Sequence, residues 1–185
     1  MKKTILFAFV AVVAFSCNNE KSDTPAATSD TTKTEVSATT QLDYPYQLDK
    51  PYQDWQPGDQ KHAVMVMKML KAWETNNLTE CVSYFGDSLD ISLDMYHQVL
   101  PHDSIINVLN MSWADMTSIK VKMQDWESVI SKDKKNEWVT LWYKQTWVDK
   151  KGKADSLQVI NDAKIVNGKI SVFDEKIQHY PAVKK

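Results

Sequence analysis

Acidic and imidazole side chains at the end of a predicted strand are the groups of this sequence best suited to acid–base chemistry. Leu89, Ile91 and Leu93 alternate with polar residues, which is typical of a strand with one buried face. Continuing that alternation turns His97 inward, where an imidazole that changes charge near neutral pH could act as acid or base. The same alternation points Asp94 towards solvent. The sequence leaves two interpretations of His97 open, a catalytic group or a hydrogen-bonded structural histidine.

Other spacing patterns argue against several kinds of site. His62, His97, His102 and His179 show neither the HxH strand spacing nor the i, i+4 helix spacing of metal ligands, so we expect no metal site. The chain has no GxSxG turn for a serine nucleophile. Its four glycines never pair as GxG, which excludes a glycine-rich phosphate loop. We therefore predict no cofactor.

Charge and composition restrict the partners. All 22 basic residues are lysines, and the formal charge is −2. Without arginine the chain lacks the planar group that binds phosphate or carboxylate through two hydrogen bonds. A mildly acidic chain also has no net attraction for nucleic acid, so no nucleic-acid partner is expected.

The first residues form a targeting pattern. Two lysines precede an apolar run, and Ala14-Phe15-Ser16-Cys17 resembles the bacterial lipoprotein cleavage motif, with alanine where leucine is commonest. The resemblance implies a signal peptide at residues 1–16 and acylation of the new N-terminal cysteine. The alternative is an uncleaved membrane anchor, for which the run falls short of the roughly 20 apolar residues required. We expect lipidated Cys17 to hold the protein on a membrane of the bacterial cell envelope, on the periplasmic or cell-surface face of the outer membrane.

Composition divides the rest of the chain into three parts. Residues 17–41 contain no aromatic ring and are rich in Ser, Thr, Asp and Ala, which is typical of a disordered tether. Residues 42–58 interleave aromatic residues with proline, which predicts an extended arm that packs along its own domain or holds a partner. A folded domain is predicted over residues 59–181. Its one cysteine, Cys81, lies in a predicted helix and is expected to be a small buried hydrophobic side chain.

The folded domain is predicted to begin with helices and end with strands. Asp59 and Asn77 are suitable N-caps for two helices, and a third is expected after Pro101. One strand precedes the third helix and four follow it. Asn167-Gly168 favours a tight hairpin between the last two. Helices and strands segregated in this way predict an α+β domain in which antiparallel sheet wraps around the helices.

The strand that begins near Glu137 is apolar on both faces. Tyr143 lies on one face, whereas Trp138 and Trp142 lie on the other. A strand with one face in water would be polar at alternate positions, so both faces must be covered. Helices can cover one face. A second copy of the sheet could cover the other, which predicts a homodimer through the outer sheet face.

This order of elements resembles the nuclear-transport-factor-2-like, or SnoaL-like, superfamily. The resemblance covers about residues 59–181 and rests on a long first helix, a short second helix ending in YFGD, and a Trp-rich hairpin closed by VNGKI. It implies a cone-shaped, curved antiparallel sheet wrapped around about three N-terminal helices and closed around a pocket. Members include isomerases, dehydratases, cyclases and non-catalytic binding domains, often dimeric.

The resemblance also suggests site residues. In the isomerase branch an aspartate just past the first strand is the base, and Asp94 holds that position in this sequence. A tyrosine such as Tyr96 or Tyr143 would be the opposing hydrogen-bond donor. The candidate pocket residues are His62, Met69, Trp73, His97, Trp113, Trp142 and Tyr143.

Three functions are compatible with these patterns. Because no strong catalytic motif occurs, the first hypothesis is a non-catalytic envelope lipoprotein that binds a small apolar ligand or serves as an interaction domain. The second is a small-molecule isomerase, dehydratase or cyclase that uses His97 or Asp94 as general base. The third is a structural lipoprotein whose aromatic arm holds an envelope protein.

Overall fold

A computed structural model describes residues 44–50 and 52–179 of the chain. The chain divides into two units, Met1–Tyr46 and Gln47–Lys185, and every helix and strand described lies in the second. The predicted signal peptide, tether and lipidated Cys17 lie outside the described residues and stay predictions. None of the helices in the described part of the chain has the length and apolar character needed to span a bilayer.

Helix caps lie where the sequence predicts them. The helices are α1 (Gln60–Glu74), α2 (Leu78–Ser83) and α3 (His102–Trp113). Before α1, the side chain of Asp59 accepts a hydrogen bond from the backbone amide of Lys61 at 2.8 Å. Before α2, the Asn77 amide donates to the Glu80 carboxylate at 2.7 Å and accepts from the Glu80 backbone at 3.4 Å. Because these bonds satisfy groups at the helix starts, they fix where α1 and α2 begin.

The described strands form a single sheet. They are β1 (Gln56–Pro57), β2 (Phe85–Leu93), β3 (Tyr96–Pro101), β4 (Met116–Ile130), β5 (Glu137–Asp149), β6 (Ala154–Val166) and β7 (Lys169–His179). Their order across the sheet is β1-β4-β5-β6-β7-β2-β3. Neighbours are antiparallel except β2 and β7, which run parallel. The predicted fold class, an α+β domain with antiparallel sheet around three helices, is confirmed.

The turn between β6 and β7 is also confirmed. Asn167 and Gly168 both have positive φ, 51° and 72°, as a two-residue hairpin of this kind requires. The expected register follows, with Val166 paired to Lys169.

One strand prediction is wrong, and one strand was not predicted. The strand through Leu93 does not continue past Asp94, because Asp94, with φ 38°, and Met95 form a tight turn that returns the chain as β3. The alternation expected to run on to His97 is therefore broken. The strand without a prediction is β1, in which Gln56 pairs with Ile130 at the end of β4.

Helices cover the inner face of the sheet. α1 contacts β4 and β5, and α3 contacts β2, β3 and β4. On β5 the inward-facing Tyr143 is fully buried, while Trp142 on the outer face is only partly buried. The outer face also carries Lys176, which forms ion pairs with Asp162 and Asp174, both at 2.8 Å. The core thus lies between the helices and the inner face.

Candidate functional site

A cavity of about 100 Å³ lies between the helices and the inner face of the sheet. Its lining comes from all three helices and from β2, β5 and β7. The lining side chains are Met69, Leu70, Trp73, Cys81, Phe85, Ile91, Leu93, Val108, Leu109, Ser112, Tyr143, Phe173 and Glu175. Apolar groups dominate this surface. Apart from the Cys81 thiol and the Trp73 indole nitrogen, polar side-chain atoms of the lining come from Ser112, Tyr143 and Glu175.

Helical spacing brings the wall residues together. Met69 and Trp73 lie four residues apart on α1, and Val108 and Ser112 have the same spacing on α3, so each pair shares a helix face. Phe85 of β2 and Phe173 of β7 meet edge to face, with ring centroids 6.4 Å apart. Such aromatic contacts favour a rigid apolar wall.

Hydrogen bonds hold the tryptophan side of the cavity. The Trp73 indole donates to the Ser112 hydroxyl at 3.2 Å, and that hydroxyl donates to the Leu109 carbonyl at 2.7 Å. The Trp113 indole donates to the Trp73 carbonyl at 2.9 Å, and the two rings contact edge to face at 6.5 Å. The hydrogen of the Ser112 hydroxyl is therefore committed to its own helix.

Three side chains from three neighbouring strands form the polar end of the cavity. The Tyr143 hydroxyl on β5 donates to Asn161 Oδ1 on β6 at 2.6 Å. Asn161 Nδ2 then donates to Glu175 Oε2 on β7 at 3.4 Å. Asn161 is fully buried, while Tyr143 and Glu175 line the cavity. We call these residues the Tyr143–Asn161–Glu175 chain.

Burial changes the ionisation of this region. Burial raises the pKa of Glu175, the hydrogen bond from Asn161 opposes that rise, and the negative charge of Asp94 adds to it. Burial also raises the pKa of Tyr143 well above its ordinary value, with a further contribution from Glu175. Desolvation raises the pKa of Cys81 to about 12. Tyr143 and Cys81 thus stay protonated at neutral pH, which leaves Glu175 as the most acidic group of the lining.

This arrangement can bind a small molecule by its apolar surface and orient it by one polar contact. An apolar pocket with few convergent polar groups is the usual form of a ligand site. Carboxylates with a raised pKa also occur where protons are transferred. The cavity therefore has the features of a binding site with one carboxyl group.

His97 and Asp94 do not line the cavity. His97 lies on the outer face of β3, 66% exposed at the side chain, and its Nε2 is 2.8 Å from Asp90 Oδ1. The expectation that His97 faces the interior is wrong because the Asp94-Met95 turn resets the strand alternation. Asp94 is exposed at this turn, as its strand phase predicts, and acts on the site through its charge on Glu175.

The structure brings together three of the seven candidate pocket residues. Met69, Trp73 and Tyr143 line the cavity, and Trp113 supports it from behind Trp73. Trp142 lies on the opposite face of β5 from Tyr143, because successive strand residues point to opposite faces.

His62 has a structural partner outside the cavity. Its Nδ1 is 2.6 Å from Glu137 Oε1, which also accepts from the Asp59 backbone at 3.4 Å. His62 therefore ties the start of α1 to the start of β5. Within residues 44–50 and 52–179, no three His, Cys, Asp or Glu side chains are grouped as a metal site would require.

The sequence analysis missed Asn161 and Glu175. A signal for both was present, because each interrupts an alternating apolar face. Asn161 shares its face with Val159 and Ala163, and Glu175 shares its face with Phe173. A polar residue in phase with buried ones predicts a buried hydrogen bond.

Comparison with known proteins shows similarity in structure. No protein-family model matches the chain, and no curated protein matches it. A solved nuclear-transport-factor-2-like protein of unknown function from Exiguobacterium sp. 255-15 is 14% identical, with a TM-score of 0.52 over 63% of this chain and 99% of that one.

Two further solved structures carry enzyme names. A putative hydroxylase from Streptomyces galilaeus is 11% identical, with a TM-score of 0.53 over 67% of this chain and 83% of that one. An LEH-like epoxide hydrolase from M. tuberculosis is 12% identical, with a TM-score of 0.54 over 66% of this chain and 82% of that one. At these identities the likeness concerns the fold alone, and it shows that this chain adopts the nuclear-transport-factor-2-like fold.

Proposed function

We propose that the Gln47–Lys185 unit binds a small, largely apolar molecule in the cavity, with one polar contact at the Tyr143–Asn161–Glu175 chain. The observation that carries this proposal is the pairing of an apolar lining with a single polar end. A cavity of about 100 Å³ is smaller than the roughly 150 Å³ cavity that holds benzene, so the ligand has roughly five non-hydrogen atoms.

The placement of titratable groups favours binding over the acid–base chemistry predicted for His97 and Asp94. Neither side chain lines the cavity, and His97 is engaged with Asp90 on the outer face. Structural neighbours named as a putative hydroxylase and an epoxide hydrolase support the use of this fold for small molecules. The fold by itself does not choose the chemistry.

The proposal includes attachment to the cell envelope. The Ala14-Phe15-Ser16-Cys17 pattern supports cleavage before Cys17 and acylation of this residue. One acyl chain gives only reversible membrane binding, so a lipoprotein is held by two or more chains. In a bacterial host, the protein should fractionate with membranes and Cys17→Ser should abolish acylation, measured by mass spectrometry of the N-terminal peptide. An unmodified N-terminus at Met1 in the wild-type protein would contradict this part.

Binding is tested with n-butanol as the probe. We expect isothermal calorimetry of the purified chain to show saturable binding that Val108→Phe abolishes, because the larger ring occupies the cavity. The matched control is Val64→Phe, which changes an exposed position on α1 outside the cavity and should leave binding intact. Equal binding by both variants would show that the probe sits elsewhere and would overturn the proposal.

A further inference from the structure

The lining of the cavity as a whole is rich in hydrogen-bond acceptors and short of free donors. The Ser112 hydroxyl donates to the Leu109 carbonyl, and the Tyr143 hydroxyl donates to Asn161. Each hydroxyl has one hydrogen, so towards the cavity both offer only lone pairs. An ionised Glu175 carboxylate likewise only accepts. A molecule that satisfies these atoms must be a donor.

The polar end of the cavity has a carboxyl group, Glu175, without a basic partner. Among the described residues, no lysine or histidine lines the cavity, and the ion pairs of this part of the chain do not include Glu175. Its one polar partner is the amide of Asn161, at the long distance of 3.4 Å. Asp94 adds a second negative charge close enough to act on Glu175. A buried carboxylate is costly without a cationic partner, so a cation here would be stabilised.

Aromatic rings form part of the lining. Trp73, Phe85, Tyr143 and Phe173 all line the cavity. The faces of such rings attract cations, and desolvation strengthens that attraction. An apolar lining at the same time favours a ligand with a hydrocarbon body.

We infer that the ligand is a small organic cation of the alkylammonium class, with its N–H groups directed at Glu175 and its hydrocarbon body among the rings. An ammonium group supplies the hydrogen-bond donors that the acceptor atoms of the lining require. It also supplies the cationic partner that Glu175 lacks. This inference rests on the proposed function, because it names the ligand class of the same cavity.

The test compares three probes of the same chain length: n-butylammonium chloride, n-butanol and sodium butyrate. We expect isothermal calorimetry on the full chain to give an affinity for n-butylammonium about tenfold or more above that for n-butanol, with no detectable binding of butyrate. Glu175→Gln should reduce the preference of the chain for n-butylammonium over n-butanol about tenfold. Glu127→Gln, an exposed change on the outer face, is the matched control and should alter neither affinity.

The pH dependence of the wild-type chain gives a second readout that needs no variant. Between pH 5 and pH 8 n-butylammonium stays charged, and Cys81 and Tyr143 stay protonated. Glu175 is then the lining acid that ionises, and the neighbouring charge that raises its pKa is that of Asp94. Affinity for n-butylammonium should rise with pH as the Glu175 carboxylate ionises, whereas a ligand that accepts a hydrogen bond from the protonated acid would bind more weakly as pH rises.

The outcomes separate the two proposals. If n-butanol binds and n-butylammonium binds no tighter, or its affinity falls with rising pH, the cation inference is wrong and the binding function stands. If none of the three probes binds the wild-type chain, the binding function itself is wrong.

Discussion

The hydroxyl of Tyr143 and the Oδ1 atom of Asn161 lie 2.6 Å apart in the buried interior, and this bond joins β5 to β6. In the strand register Tyr143 is opposite Val159, so Asn161 is its diagonal neighbour on the inner face. The bond leaves the Asn161 amide nitrogen directed at Glu175. The Tyr143 hydroxyl thereby orients the Asn161 amide, so that its nitrogen, and not its oxygen, faces Glu175.

Tyr143→Phe should destabilise the fold because it leaves Asn161 Oδ1 buried without this donor. The expected loss is about 1 to 3 kcal/mol in the free energy of unfolding, measured by urea denaturation. Tyr84→Phe is the matched control, since the Tyr84 hydroxyl bonds to Glu80 at the surface, and should change stability by less than about 0.5 kcal/mol. If both variants lose the same free energy of unfolding, the buried hydrogen bond stabilises the fold no more than the surface one.

Glu175→Gln should stabilise the protein increasingly as pH rises. The folded-state pKa of Glu175 is raised above its ordinary value of 4.5, so the folded state binds more protons than the unfolded state. The contribution of Glu175 to the free energy of unfolding is therefore fully present below its ordinary pKa. It is lost as pH rises through the folded-state pKa. Urea midpoints of wild type and variant between pH 4 and pH 8 measure this difference. If the urea midpoint of the variant does not increase relative to that of the wild type as pH rises, the prediction is wrong.

Features that depend on local sequence were predicted correctly. The Asp59 cap, the Asn167-Gly168 turn and its register follow from backbone preferences of a few adjacent residues. The fold class follows from the order of helices and strands. Met69, Trp73 and Tyr143 face the interior because helix and strand periodicity decides which side chains point inward.

Features that depend on a single unusual turn were not predicted. Asp94 takes a positive φ, which aspartate tolerates more readily than most residues, and this reverses the chain before His97. A one-residue difference in where a strand ends decides which face a side chain occupies. For Glu175 the interrupted apolar face indicates a buried position, but its partners Asn161 and Asp94 are distant in sequence and only the sheet brings them together.

Cys81 should be unreactive in the folded protein. Its side chain is fully buried and its thiol pKa is raised to about 12, so almost no thiolate is present at pH 8. We expect iodoacetamide to leave the Cys81 peptide unmodified in buffer and to alkylate it fully in urea, as measured by peptide mass spectrometry. Rapid alkylation of the folded chain would mean that the cavity wall at α2 opens readily.

The outer sheet face should mediate a homodimer. Trp142 is partly buried there and stands opposite Ile160 on β6, which gives the face an apolar centre beside the Lys176 ion pairs. We expect light scattering to show a dimer at micromolar concentration and Trp142→Glu to weaken association about tenfold or more. Lys150→Glu, in the exposed turn after β5, is the control and should leave the dimer intact. A wild-type monomer at micromolar concentration would contradict the prediction.

Gly58→Ala should loosen the attachment of the arm to the sheet. The Gly58 amide donates to the Ser128 carbonyl at 2.8 Å, and a Cβ at this position would lie 2.5 Å from Ser128 Oγ and 3.0 Å from the Val129 nitrogen. Because backbone cannot give way as a flexible side chain does, we expect a loss of about 1 to 3 kcal/mol in urea unfolding and faster amide exchange at Gln56. Gly86→Ala is the matched control, since its Cβ would meet neighbouring atoms no closer than 3.7 Å. If the two alanine variants are equally stable, the close approach of the arm to β4 does not hold β1 in place.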